Sequence, residues 1–230
     1  MTQLNIDALT QQLETGDLKT RKLALAALRE VPAKQAVPLI KKVLDDKNEQ
    51  VRSMAIFALG IKQTDECYAL LLNILETDPD YGLRADAAGA LGYLEDPRAF
   101  DPLVKALYED VDWLVRFSAA VSLGNLKNPQ AHDALISALG SKEVVIQQAA
   151  IAALGEIKDL SAIDHILAFA QSEDWLVRQR LAEALGNLQS DKSLSALRYL
   201  AKDDHPQVSE AAQISLARIE DNIEGRIEDK

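Results

Sequence analysis

The sequence predicts an all-α solenoid, a right-handed superhelix of about six and a half repeats of 31–32 residues. Three observations predict it. A marker position recurs at a nearly constant interval, apolar residues flank it at helical spacing, and the composition is dominated by helix formers. Ala contributes 34 and Leu 35 of the 230 residues, and both favour helices strongly. With 5% aromatics, 10 Gly and 7 Pro, the chain is poorly supplied with the residues of strands and their turns. Its 48% hydrophobic content excludes wholesale disorder.

The marker is Arg21, Arg52, Arg84, Arg116, Gln147, Arg178 and Ser209, at intervals of 31, 32, 32, 31, 31 and 31. Such a period is the signature of a repeat architecture. Seven residues after each marker stands Leu: Leu28, Leu59, Leu91, Leu123, Leu154, Leu185 and Leu216. Three after it stand Ala24, Ala55, Ala87, Ala119, Ala150, Leu181 and Ala212; one before it stand Thr20, Val51, Leu83, Val115, Ile146, Val177 and Val208. These offsets differ by four, which puts the side chains on one helical stripe. The eighth position is Gly60, Gly92, Gly124, Gly155 and Gly186, expected to give either a left-handed cap or a close approach of the next helix. Four residues before the marker sit Asp17, Asn48, Asp80, Asp112, Glu143, Asp174 and His205, mostly good N-cap types.

A second helix follows in each repeat, as in 99–108, 131–139, 162–169 and 193–201. Asp96-Pro97 and Asn128-Pro129 fit an N-cap with Pro in the first turn. One such pair cannot bury both its apolar faces, and stacked neighbours supply the missing core. The solenoid is expected to run as one domain over 1–219. Residues 1–16 form its N-terminal capping helix, and the charged tail 220–230 frays.

Net charge excludes function classes. Lys and Arg number 25 against 36 Asp and Glu, a net −11. This is a poor basis for binding nucleic acid or an anionic membrane surface. The charge is uneven: residues 1–62 carry 10 basic and 7 acidic side chains, net +3, and the rest carry net −14. No apolar run reaches the length of a membrane span. Cys67 is the single cysteine, so no internal disulfide forms, and a cytoplasmic setting is expected. The N-terminal residues lack the basic flank and apolar run of a secretory signal.

The pattern Asp-x-x-Val-Arg-x-x-Ala-x-x-x-Leu-Gly is carried by Asp112, Val115, Arg116, Ala119, Leu123 and Gly124. With Ala one place later, it recurs in Asp174, Val177, Arg178, Ala182, Leu185 and Gly186. It resembles the short HEAT repeat of phycobilisome lyases over about residues 17–219. That resemblance implies roles seen in the family. They are subunits of E/F-type phycobilin lyases, the non-bleaching protein tied to phycobilisome breakdown, and a cyanobacterial HEAT protein linked to iron–sulfur assembly.

Candidate sites are weighed against architecture. The Arg ladder (Arg21, Arg52, Arg84, Arg116, Arg178) is expected to be structural, pairing with acids near the next helix start such as Asp80, Asp112 or Asp174 and with loop carbonyls. Tyr81, Trp113 and Trp175 each precede a marker by three residues and form a candidate binding edge, since Trp and Tyr anchor interfaces. By analogy, second helices line the inner surface of such solenoids. A candidate concave face then comprises Arg98, Asp101, Lys105, Tyr108, Asp133, Ser137, Asp164 and Arg198. His132-Asp133 and Asp164-His165 lie on successive second helices but cannot each point as a unit. No metal-binding or catalytic motif is present, and no catalytic residue, metal or cofactor is assigned.

The expected function is a non-catalytic protein-binding scaffold or adaptor. From the resemblance, its partners are phycobiliprotein subunits, their assembly or breakdown factors, or a second HEAT-repeat subunit. The alternative is a phycobilin lyase or bilin chaperone that takes phycocyanobilin. A further alternative is an iron–sulfur assembly partner, although one cysteine argues against the chain holding a cluster itself.

Overall fold

The computed structural model describes residues 5–228, with side chains described through residue 221. Among the described residues there are helices and no strand. Helix α1 (Ile6–Thr15) precedes six helix pairs. They are α2 (Leu18–Ala27) with α3 (Ala33–Lys41), α4 (Glu49–Gly60) with α5 (Asp65–Thr77), and α6 (Tyr81–Leu94) with α7 (Phe100–Glu109). Next come α8 (Trp113–Asn125) with α9 (His132–Leu139), α10 (Val144–Glu156) with α11 (Ile163–Leu167), and α12 (Trp175–Asn187) with α13 (Asp191–Leu200). The last is α14 (Pro206–Glu228). Residues 1–4 of the expected capping helix lie outside the described residues. So do residues 229–230 of the expected frayed tail, whose backbone is helical as far as Glu228. The chain divides into two compact units, Met1–Ser122 and Leu123–Lys230.

The marker stripe is the core. Val51, Leu83, Val115, Ile146, Val177 and Val208 are buried, as are all seven residues at the third position after the marker. Six of the seven Leu are fully buried, each worth about 2 kcal/mol relative to exposure. Thr20 and Leu216, in the two end repeats, are only partly covered.

The expected N-caps hold for four loops. The carboxylates of Asp17, Asp80, Asp112 and Asp174 accept from the N–H groups of Thr20, Gly82, Leu114 and Leu176. Asn48 and Glu143 stand at the cap position without a side-chain cap bond. The second helices open differently from expectation. Short 3₁₀ turns at Pro97–Ala99, Pro129–Ala131 and Leu160–Ala162 precede α7, α9 and α11. The five residues of α11 then continue as a 3₁₀ segment, Ala168–Gln171.

The glycines settle the alternative left open by sequence. None has positive φ, and the positive-φ positions after the first helices fall to Gln63, Glu95, Lys127 and Lys158. The glycines serve close approach. A Cβ on Gly92 would sit 2.6 Å from Ser122 Oγ in the first unit, and one on Gly155 would sit 2.7 Å from Ala184 Cα in the second. Within each unit, the first helices of neighbouring repeats are therefore the closely packed layer.

The Arg ladder is architecture, with a shifted partner. Arg84 grips Asp110 with Nε at 2.9 Å and Nη2 at 3.0 Å, and Arg178 grips Asp203 at 2.7 and 2.8 Å. Arg21 Nε lies 2.9 Å from Asp46. These acids precede the next cap by two residues, where the sequence reading placed them at the cap. Arg52 instead reaches a cap acid, Asp80, at 3.8 Å. The shift has a cause: a side chain two residues before the cap also accepts the cap's own N–H, as Asp110 does from Asp112 and Asp203 from His205. That turn aims the carboxylate back at the preceding repeat. Each guanidinium also donates to its own loop, Arg84 to the Asp78 carbonyl and Arg178 to the Ser172 carbonyl. Where the marker is Gln147, its amide makes the same bond to the Ser141 carbonyl.

Candidate protein-binding surface

The predicted aromatic edge starts at the first residue of a first helix, outside the buried stripe. Tyr81 is 53% exposed, Trp113 46% and Trp175 38%. The three differ in support. Trp175 stacks on His205 of the following repeat, with ring centroids 4.2 Å apart and planes at 11°. Trp175 therefore serves packing as well as exposure.

The residues assigned to a concave face lie on the second-helix layer. Asp101, Lys105, Tyr108, Asp133, Ser137, Asp164 and Arg198 are all exposed there. Several are engaged in bridges between repeats: Lys192 Nζ lies 2.7 Å from an Asp164 oxygen, and Lys105 lies 3.9 Å from Glu76. Arg98 belongs to a loop turn. It pairs with Asp96 and Asp65 and lies 4.4 Å over the Tyr68 ring. In both units the close repeat-to-repeat approach belongs to the other layer.

Among the described residues, His132, Cys67 and Lys62 each have a structural environment. His132 Nδ1 meets Asp159, with Ser161 Oγ 3.3 Å from the same nitrogen, and Nε2 lies 4.0 Å from the exposed Asp133 carboxylate. Asp159 and Ser161 contact the same ring nitrogen and Asp133 is beyond hydrogen-bond reach, so the ring does not bridge an acid to a hydroxyl as a nucleophile relay requires. Burial raises the Asp159 carboxyl, but hydrogen bonds from Ser161 and His132 outweigh it and hold the group below its ordinary range. Cys67 is fully buried, and burial pushes its thiol up, the opposite of an activated nucleophile. Lys62 is also buried, donating to the Arg29 and Val31 carbonyls at 2.8 and 2.6 Å, which ties two repeats together. Among the described residues, no group of three or more His, Cys, Asp or Glu could hold a metal. No helix there is long and apolar enough to cross a membrane.

The sequence reading missed a second exposed face, on the first helices. It comprises the second, fifth and ninth positions after each marker, spacings of three and four that share a helix side. In the first unit it shows Leu23 (62% exposed), Phe57 (53%), Tyr93 (56%) and Val121. Phe57 and Tyr93 meet edge to face at 5.8 Å. A hollow of about 650 Å³ at the start of α2 is lined by Asp17, Leu18, Lys19, Lys22, Leu23, Ala26 and Met54. Gly89 occupies the fifth position of α6, and a Cβ there would meet nothing within 4 Å. A helix-interior Gly costs about 1 kcal/mol relative to Ala, and neither φ nor crowding requires it here. Asp86, hydrogen-bonded to Ser53, has its carboxyl pushed up by burial. In the second unit the same positions are mixed, with Ala149, Ala152, Ala211 and Ile214 (62% exposed) among charged residues. Glu156, Arg180, Glu183, Asn187 and Arg218 line a hollow of about 400 Å³, with Arg180 2.7 Å from Glu183. The signal was present in the sequence as apolar residues off the core stripe.

Comparison with known proteins fits this geometry. The model of the HEAT repeats matches residues 6–70, 68–145 and 133–217. The chain belongs to the HEAT-repeat family. Among solved structures, the complex of CpcE and CpcF of phycocyanin lyase from Nostoc is similar, with a TM-score of 0.60, 20% identity, and coverage of 95% of this chain and 96% of that one. Kap95p, in a structure of its complex with RanGDP, has a TM-score of 0.61 at 15% identity over 93% of this chain and 35% of that one. An engineered protein reaches 0.53 at 21% identity over 94% and 68%. These likenesses describe the fold. No curated protein sequence matches the chain. HEAT-repeat membership makes this protein an interaction scaffold in architecture, one repeat after another presenting side chains outside its core.

Proposed function

We propose that this HEAT-repeat protein is a non-catalytic adaptor in the cytoplasm that binds phycobiliproteins or the factors that assemble or degrade them. The observation that carries the reading is the recurring exposed aromatic, Tyr81 and Trp113 in the first unit and Trp175 in the second. These large aromatics are exposed at helix starts, in a fold whose core is built without them. The resemblance of the Asp112–Gly124 and Asp174–Gly186 blocks to phycobilisome-lyase repeats supports the choice of partner. Within each unit the packed helices present these side chains preformed, with little ordering cost on binding.

The test uses purified phycocyanin subunits and immobilised protein. Trp113→Ala is expected to weaken capture at least tenfold with an unchanged melting temperature, because substitutions outside the packed interior stay within about 0.5 kcal/mol. Trp175→Ala also loses the His205 stack, about 1 kcal/mol. Retained capture by both variants would sink these aromatics as binding residues. A bilin-lyase role is the second reading, favoured by the likeness to the CpcE and CpcF complex over nearly the whole chain. A red-shifted, sharpened phycocyanobilin spectrum that survives gel filtration with this protein would support it over the adaptor. The iron–sulfur reading requires clusters held wholly by a partner, since Cys67 is buried.

A further inference from the structure

Between α4 and α6 of the first unit, two rows of side chains enclose an open position. Asp86, Gly89 and Tyr93 follow one another on α6 at spacings of three and four, so they share one side of that helix. Ser53 and Phe57 stand opposite on α4, four residues apart. The rows meet at both ends: Ser53 hydrogen-bonds Asp86, and Phe57 meets Tyr93 edge to face at 5.8 Å. Gly89 lies between those ends, and a Cβ there would meet nothing within 4 Å. This leaves a slot with a carboxylate at one end, two aromatic rings at the other and bare helix backbone as its floor.

Asp86 lacks a counter-charge. It is half-buried, its surroundings supply the Ser53 hydroxyl and the like charge of Asp80, and among the described residues no cation pairs with it. The Arg ladder shows the usual alternative, since Asp46, Asp110 and Asp203 each hold a guanidinium. A charge taken out of water without a partner is costly, and burial accordingly pushes the Asp86 carboxyl up. A ligand that brings a cation removes that cost. The wider charge agrees: residues 63–121 carry 12 acidic and 4 basic side chains, net −8. Of those bases, Arg84, Arg98 and Lys105 already face acids.

The two ends of the slot select the cation. A guanidinium offers a planar fork of donors that a carboxylate accepts in pairs, and it stacks on aromatic rings. It is also more weakly hydrated than an ammonium, so it loses less on entering a half-buried site. A metal ion fits poorly, because one carboxylate and one hydroxyl are too few oxygen ligands for it.

We propose that the slot over Gly89 is a socket for an arginine side chain of a partner protein, with Asp86 as its counter-ion and Phe57 and Tyr93 as the rings beside it. That the arginine belongs to a protein rests on the adaptor reading; the socket itself does not.

N-acetyl-arginine methylamide, titrated into the intact isotope-labelled chain and followed by NMR, tests it. The Gly89 backbone amide should shift saturably with concentration. The matching lysine compound should bind roughly fivefold more weakly. Asp86→Asn and Gly89→Leu should each weaken binding at least tenfold, the first by removing the counter-ion and the second by filling the slot. Glu109→Gln, which removes an exposed acid elsewhere in the same unit, should leave it unchanged. Asp86→Asn should melt no lower than wild type, which separates lost binding from lost folding. No saturable shift, equal binding of the lysine compound, or indifference to Asp86→Asn and Gly89→Leu would overturn the socket. A wild-type dimer in sedimentation that Asp86→Asn makes monomeric would overturn the separate partner, since a second copy then supplies the arginine. Arginine binding lost in Asp86→Asn, with phycocyanin capture indifferent to Trp113→Ala and Trp175→Ala, would support the socket and sink the adaptor reading. The reverse pattern would overturn the socket and leave that reading standing.

Discussion

The two units carry the same helix layer with different surfaces. In the first, the exposed positions include Leu23, Phe57, Tyr93 and Val121; in the second, Glu156, Arg180, Glu183 and Arg218 stand at matching positions beside the exposed Ile214. Beneath both faces the buried stripe keeps the same spacing, with Leu at the seventh position after every marker and a small or aliphatic residue at the third. The difference teaches where selection is free to act in a repeat. Positions that recur build the stack, and positions that diverge distinguish one stretch of it from another.

The largest expected effect separates two glycines of that layer. Gly155→Val puts a branched side chain against the Ala184 backbone and should cost about 3 kcal/mol by urea denaturation, as overpacking does. Little loss would mean that the close approach of first helices is not required. Next, Arg178→Ala and Arg84→Ala remove bidentate bonds of nearly equal geometry, one in each unit. Each should cost about 2 kcal/mol, the range of hydrogen bonds to charged groups. Unequal losses would break the claim that the ladder is common architecture.

The same pairs set an acid limit. The hydrogen bond from Arg178 holds the Asp203 carboxyl below its ordinary range. Burial raises Asp110, but the Arg84 bonds outweigh it and the net shift is also downward. Folded values below the unfolded one contribute stability that is present above about pH 4 and lost as pH falls through the folded value. The deficit of Arg178→Ala relative to wild type should therefore shrink below about pH 4. Asp86 has the opposite sign. Its raised carboxyl favours folding at low pH, and that contribution is lost as pH rises. Asp86→Asn should be stabilising at pH 7 and neutral at pH 3. The smallest effect is a gain: Gly89→Ala should stabilise by about 1 kcal/mol in the same denaturation assay. A loss there would show that Gly89 has a structural role.

Much of this protein was legible without coordinates, because its information is periodic. A residue every fourth position around a marker can serve only a buried helical stripe, so Ala87, Leu91 and their equivalents named the core. The caps Asp80 and Asp174 were legible for the same reason, since short polar side chains at a helix start bond the free amides. The aromatic edge could be named as well, but not its support, because Trp175 and His205 are neighbours only through the stack.

Sequence by itself therefore determined the repeat, its helices, its core and its acidic character, all of which follow from local spacing and composition. Tertiary structure alone decided relations between repeats. It placed the Arg84 and Arg178 partners two residues before the cap, because a turn aims those carboxylates backward. It assigned the glycines to close approach and left the positive-φ positions to Gln63, Glu95, Lys127 and Lys158. It also revealed which apolar residues remain uncovered. Exposure depends on what lies across a neighbouring helix, and no periodicity within one helix encodes that.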